Sequence, residues 1–200
     1  MATTNVFQNI LAKGIKSGKT PFAKDSVDWF RKMALETKRV KPQDIIQDAG
    51  PFKRIVQLSE TSIGKMYLFG YDPKHKETLP YYDRFPLIFP IEYYNDSMLG
   101  INMHYLPPVL RAKLMDAIYQ TINNTKYNNT TKLKISYQIL NSAAKYKYFK
   151  PCIKKYLFSH TVTPFMYVAP SEWDVALMLP TDRFAKAQRS TVWKQSLEMI

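Results

Sequence analysis

Three apolar runs of strand length crowd between Gly64 and Pro108, and little else in the chain limits its fold as strongly. They cover residues 65–71, 85–94 and 98–106. A polar segment over 72–83, with Asp72-Pro73 and Leu79-Pro80, separates the first two, and Asn95-Asp96-Ser97 separates the second and third. Apolar runs punctuated by Pro, Gly, Asn and Asp read as strands, and a short Asn/Asp/Ser loop between two of them reads as a hairpin. The block is dense in aromatic residues, among them Tyr67, Phe69, Tyr71, Tyr81, Tyr82, Phe85, Phe89, Tyr93, Tyr94 and Tyr105. The expected fold class is therefore α+β: a small antiparallel sheet over about residues 53–106, with barrel-like closure an open alternative, packed by flanking helices and carrying extended termini.

The helices follow from apolar spacing. Val27, Phe30, Met33 and Ala34 predict a helix over 25–37, with Asp25-Ser26 as its N-cap. A short helix over 42–48 starts at Pro42, a strand is expected over 53–58, and Leu110, Leu114, Ile118 and Ala117 mark a helix over 109–121 with Arg111 and Lys113 facing elsewhere. Residues 133–144 and 151–159 also read as helices, the second with Cys152 on its apolar face and Lys150, Lys154 and Lys155 on the other. One last strand is expected over 165–168, followed by a helix over 172–178 capped by Ser171. Before residue 25, Val6, Ile10 and Leu11 suggest one short amphipathic turn, after which Gly14, Gly18 and Pro21 break any regular element. The expected organisation is a basic N-terminal arm over 1–24, a single α+β domain over 25–184 and a C-terminal tail over 185–200.

Charge narrows the range of partners. The 200 residues carry a formal charge of +13, a balance that favours nucleic acid, an anionic surface or an acidic protein. The excess is localised. No Asp or Glu occurs from Ala117 to Ser171, where Lys126, Lys132, Lys134, Lys145, Lys147, Lys150, Lys154 and Lys155 interleave with Tyr127, Tyr137, Tyr146, Tyr148, Phe149, Tyr156 and Phe158. Lysines supply phosphate contacts, and tyrosines supply stacking. These eight lysines are the candidate contact set for DNA or an acidic partner. The competing reading makes the aromatics core and the lysines a solvated face.

Catalytic signatures are weak. His75, His104 and His160 fall in no metal-ligand spacing, and with Cys152 as the single cysteine no cysteine cluster or intramolecular disulfide can form. His104, between Met103 and Tyr105, reads as a hydrogen-bonded core or interface histidine. Asp72, Asp83, Glu92 and Asp96 lie on or beside the sheet, where Asp is a good turn former, and Asp83-Arg84 suggests a local ion pair. A nuclease built on Asp83 and Glu92 is the least favoured reading. Ser17-Gly18-Lys19-Thr20 carries the last residues of a phosphate-binding loop, but Lys13 stands where the first glycine is required. We expect no catalytic residue, no metal site and no cofactor. We also expect no membrane span, because no window of about 18 uninterrupted apolar residues occurs.

Two segments carry a resemblance. YDPKHKETLPYYDRFPLIFPIEYYNDSMLGINMHYLPPVLRAKLMD and KPCIKKYLFSHTVTPFMYVAPSEWDVALMLPTDRF resemble a family of small virion or assembly proteins of T4-like contractile-tailed bacteriophages (myoviruses), over roughly residues 64–184. The resemblance implies a non-enzymatic protein of the virion, made in the host cytoplasm. Its first implied role is a structural subunit of the tail, baseplate or neck, held by contacts with other phage structural subunits in a symmetric multi-subunit assembly. The alternative is a DNA-binding protein that protects the ends of the packaged phage genome, with phage DNA as its partner.

Overall fold

A computed structural model describes residues 5–38, 40–122, 137–143 and 147–200. Its centre is an antiparallel sheet of six strands in the order β1-β7-β2-β4-β5-β6. The strands are β1 (Arg54–Ile55), β2 (Met66–Leu68), β4 (Leu87–Tyr93), β5 (Ser97–Asn102), β6 (Ile153–Leu157) and β7 (Phe165–Val168). A separate two-stranded ribbon joins β3 (Tyr82–Asp83) to β8 (Phe184–Ala185). The class is α+β, and the sheet stays open: β1 and β6 are its two edges and do not pair with each other.

The hairpin expected at Asn95-Asp96-Ser97 joins β4 to β5, closed by Tyr94 N–H donating to Ser97 O at 2.8 Å. Pro90 cannot donate to a ladder, and the register of β4 against β5 shifts there, between Pro90 and Glu92. The run expected to continue as strand to residue 106 turns at Asn102 into a 3-10 turn over Met103–Tyr105, where the Asn102 side chain accepts the His104 N–H at 3.0 Å. The strand expected over 53–58 is reduced to β1.

Both sheet faces are covered. One carries an aromatic cluster in which Phe69 meets Phe165 at 4.7 Å and Tyr156 at 5.4 Å between ring centroids. The other packs on the helices: α1 (Val6–Lys16), α2 (Lys24–Glu36), α3 (Pro42–Gln47), α4 (Pro108–Ile122), α5 over residues 137–143, α6 (Trp173–Met178) and α7 (Arg189–Glu198).

Several elements differ from expectation for identifiable reasons. Residues 6–16 are a packed helix, with Phe7 and Ile10 buried. Gly14 does not break it: a Cβ there would stand 2.4 Å from the Phe30 ring, so glycine is what lets α1 approach α2. The N-cap of α2 is Ala23 rather than Asp25 or Ser26, and the Ser26 hydroxyl accepts from Thr20 N–H instead. In α4 the buried face is Arg111, Leu114, Met115, Ile118 and Tyr119, so Arg111 points inward and Ala117 outward.

The helix expected over 151–159 is a 3-10 turn (Lys147–Cys152) followed by β6. A run this short fits either period. The unpaired backbone edge of β5 decides between them, because its ladder groups need partners and β6 supplies them from Ser97↔Leu157 to Ile101↔Ile153. Before α6, residues Pro170–Glu172 form a 3-10 turn in which Glu172, not Ser171, takes the backbone donor of Ala169.

Candidate nucleic-acid interface

A buried polar hub ties the sheet to the C-terminal segment. Asp83, in β3, and His104, just after β5, are both essentially inaccessible. His104 Nδ1 donates to Asp83 Oδ2 at 2.7 Å, and His104 Nε2 faces the Thr181 hydroxyl at 2.9 Å. Asn102 donates to the same carboxylate at 3.1 Å and to the Tyr156 hydroxyl at 2.9 Å. The other Asp83 oxygen accepts from Phe85 N–H at 3.1 Å and Arg183 N–H at 3.4 Å. Burial works to raise the Asp83 pKa. Facing His104, together with the donors from Asn102 and Phe85, outweighs that and holds the carboxyl below its ordinary range. The ion pair expected with Arg84 is absent from this carboxylate's partners, and Arg84 is exposed.

Arg111 extends the hub. Its guanidinium donates to three backbone carbonyls, Leu106 at 2.7 Å, Leu177 at 2.8 Å and His104 at 3.2 Å. Burial lowers its pKa to about 10. The Trp193 indole N–H donates to the same His104 carbonyl at 2.8 Å, and Arg111 lies 5.5 Å from the centre of the Trp193 ring. The hub thereby fixes one wall of a surface cleft.

That cleft encloses about 580 Å³ between the end of α2, the start of α4, the 178–183 loop and α7. Lys38, Arg111, Arg183 and Arg189 line it, with Asp182 as its acidic residue and Trp193 as its aromatic one. A second hollow of about 450 Å³ shares Asp182, Arg183, Arg189 and Trp193 with it. The cations differ in freedom. Arg183 is committed: it donates to the Pro180 carbonyl at 2.9 Å, the Asp182 carbonyl at 2.7 Å and the Val40 carbonyl. Lys38 is exposed. Arg189 is 54% exposed, lies 5.7 Å from the Trp193 ring centre and meets Asp182 only at 4.0 Å.

Of the eight lysines singled out in the sequence, the structure describes the surroundings of three. Lys126, Lys132, Lys134 and Lys145 lie outside the described residues, and Lys147 falls in the 3-10 turn before β6. Lys150 and Lys155 are exposed, the latter 5.2 Å from the Tyr94 ring centre. Lys154 is half-buried over the Tyr105 ring at 4.3 Å, and burial lowers its pKa. No sequence pattern pointed to the cleft: its cations come from three separated stretches, and Trp193 sat in what read as a tail.

The two carboxylates of the nuclease reading lie in different environments. Asp83 is enclosed by the hub, whereas Glu92 and Asp96 are exposed in and after β4. Among the described residues no group of His, Cys, Asp and Glu is placed to hold a metal ion. Cys152 is buried, and burial pushes its thiol up to about 12, far from a reactive thiolate. No helix among the described residues is long and apolar enough to cross a membrane.

The fold is thus an open α+β architecture with a surface cleft that places the exposed cations Lys38 and Arg189 beside the Trp193 ring. The chain belongs to a phage family: a family model described as the phage T4 terminal DNA protecting protein matches residues 1–196. No curated protein and no solved structure matches it. Of the two roles implied by the resemblance, the family description favours the genome-end protein over the tail, baseplate or neck subunit.

Proposed function

We propose that this protein binds the ends of linear phage DNA and shields them. The match to the DNA-protecting family over residues 1–196 carries the reading. The net charge of +13 and the cationic cleft beside Trp193 support it. The mechanism is occupancy rather than chemistry. Neutralising phosphates releases counterions and gives affinity, and a protein seated on a terminus denies it to enzymes that must thread or grip a free end. In this role the protein accompanies the genome ends in the virion and meets DNA first in the host cytoplasm where it is made.

The test compares blunt linear DNA with covalently closed circular DNA of the same sequence across a salt series, alongside digestion of the linear form by an exonuclease. Tighter binding to the linear form, a steep salt slope and slowed digestion are expected. Equal affinity for both forms with no protection would discard the reading. It would return the protein to the class of assembly subunits, for which the exposed Phe52 and Val56 beside edge strand β1 would be the first surface to probe.

A further inference from the structure

The cleft behind Lys38, Arg189 and Trp193 has the make-up of a seat for the last base pair of a duplex. The inference rests on the reading that the protein binds DNA ends. A duplex displays phosphates along its whole length, but it presents a free aromatic face only where it stops. A surface that separates an end from an interior therefore needs a flat π group for the face and cations for the phosphates beside it. Stacking of bases on aromatic side chains is tolerant of sequence because every base has a π face.

Within the described residues this combination occurs at the cleft. Its volume of about 580 Å³ falls within the roughly 300–1,000 Å³ of sites that enclose a small organic group. Trp193 is held in place through its N–H to the His104 carbonyl. Arg111, the nearer cation to its ring, is locked by three carbonyls and cannot leave to meet a ligand. Arg189 is the opposite case: more than half exposed, with its ion pair to Asp182 at the 4.0 Å limit of contact. Asp182, itself buried, steers that guanidinium and still leaves the cleft with an excess of positive charge.

We propose that Trp193 stacks on the terminal base pair of a blunt duplex end while Lys38 and Arg189 neutralise the terminal phosphates. The eight lysines between 126 and 155 are not needed for recognising the end. They would add only affinity that is indifferent to where the duplex stops.

The experiment places 2-aminopurine in the terminal pair of a blunt duplex, or at an internal pair as control, and titrates the full-length protein. The wild type is expected to change the emission of the terminal probe and leave the internal one unmoved. Trp193→Leu should abolish the terminal signal. The exposed double variant Lys38→Glu/Arg189→Glu should weaken binding to linear DNA roughly ten-fold or more, while changing binding to closed circular DNA much less. If Trp193→Leu fails to fold, the double variant and the wild-type probe signal decide the matter, since neither depends on it. A wild type without preference for ends would defeat the DNA-end reading itself. A wild type that prefers ends but leaves the terminal probe unmoved would overturn the cleft proposal alone, as would a double variant that keeps its full end preference.

Discussion

The buried hub around His104 and the basic cleft beside it share residues and a wall, yet they handle charge in opposite ways. In the hub every polar group is answered. Asp83 receives His104, Asn102 and two backbone donors, and Arg111 spends its guanidinium on three carbonyls. In the cleft, Lys38 and Arg189 face solvent, the latter with a carboxylate at 4.0 Å and the Trp193 ring centre at 5.7 Å. Trp193 joins the two, hydrogen-bonded to the hub and lining the cleft. A cation fixed by protein acceptors is architecture, whereas an exposed one retains donors for a ligand. The sign of a residue therefore says little about its role until its partners are known.

The largest expected effect breaks the hub. Asp83→Ala removes the acceptor from four donors and leaves the buried His104 Nδ1–H unanswered, at a cost of about 3–5 kcal/mol. Lys38→Glu, on the exposed side of the comparison, should stay within about 0.5 kcal/mol. Denaturant midpoints measured side by side check both, and similar values would erase the contrast. Arg111→Leu should follow at about 3 kcal/mol, because the buried Leu106 and Leu177 carbonyls lose their donor together while the His104 carbonyl keeps only Trp193. It should also loosen Trp193, visible as a red shift of tryptophan emission before global unfolding.

Acid sharpens the same contrast. The native Asp83 carboxyl titrates below its unfolded value of about 3.9, so the stability it contributes is complete above that value and is lost as pH falls through the lower native one. Asp83→Asn should flatten this part of the acid-unfolding profile, and an unchanged profile would remove Asp83 from the account of acid stability. The smallest effect concerns the basic segment. If Lys155 meets a phosphate, Lys155→Ala should lower the salt slope of DNA binding by about 0.9. Lys154→Ala should leave the slope unchanged, since that ammonium sits half-buried on Tyr105. Equal losses from the two would show that Lys154 leaves its ring to bind DNA.

Local pattern carried a good share of the fold. The hairpin β4–β5, the strand β7 and the helices α2, α3 and α4 lie close to where apolar spacing and turn residues place them. It failed where two periods compete over a few residues. The stretch 151–159 reads as a helix and is mostly strand, because the free edge of β5 needed a partner. It failed again at Arg111, whose charge suggested solvent and whose burial depends on carbonyls from residues 104, 106 and 177. His104, read as a hydrogen-bonded core or interface histidine, is a core one, and its ring partners Asp83 and Thr181 lie 21 and 77 positions away.

The sequence by itself determined an antiparallel aromatic sheet flanked by helices and a strong cationic excess, since both are written in residue type and spacing along the chain. Only the tertiary structure decided that Lys38, Arg189 and Trp193 border one cleft, and that Asp83, His104 and Thr181 form one buried chain of contacts. These residues lie 77 or more positions apart at their farthest pairings. Hydrogen bonds and burial at such separations are set by how the layers close on one another, and no local period records that.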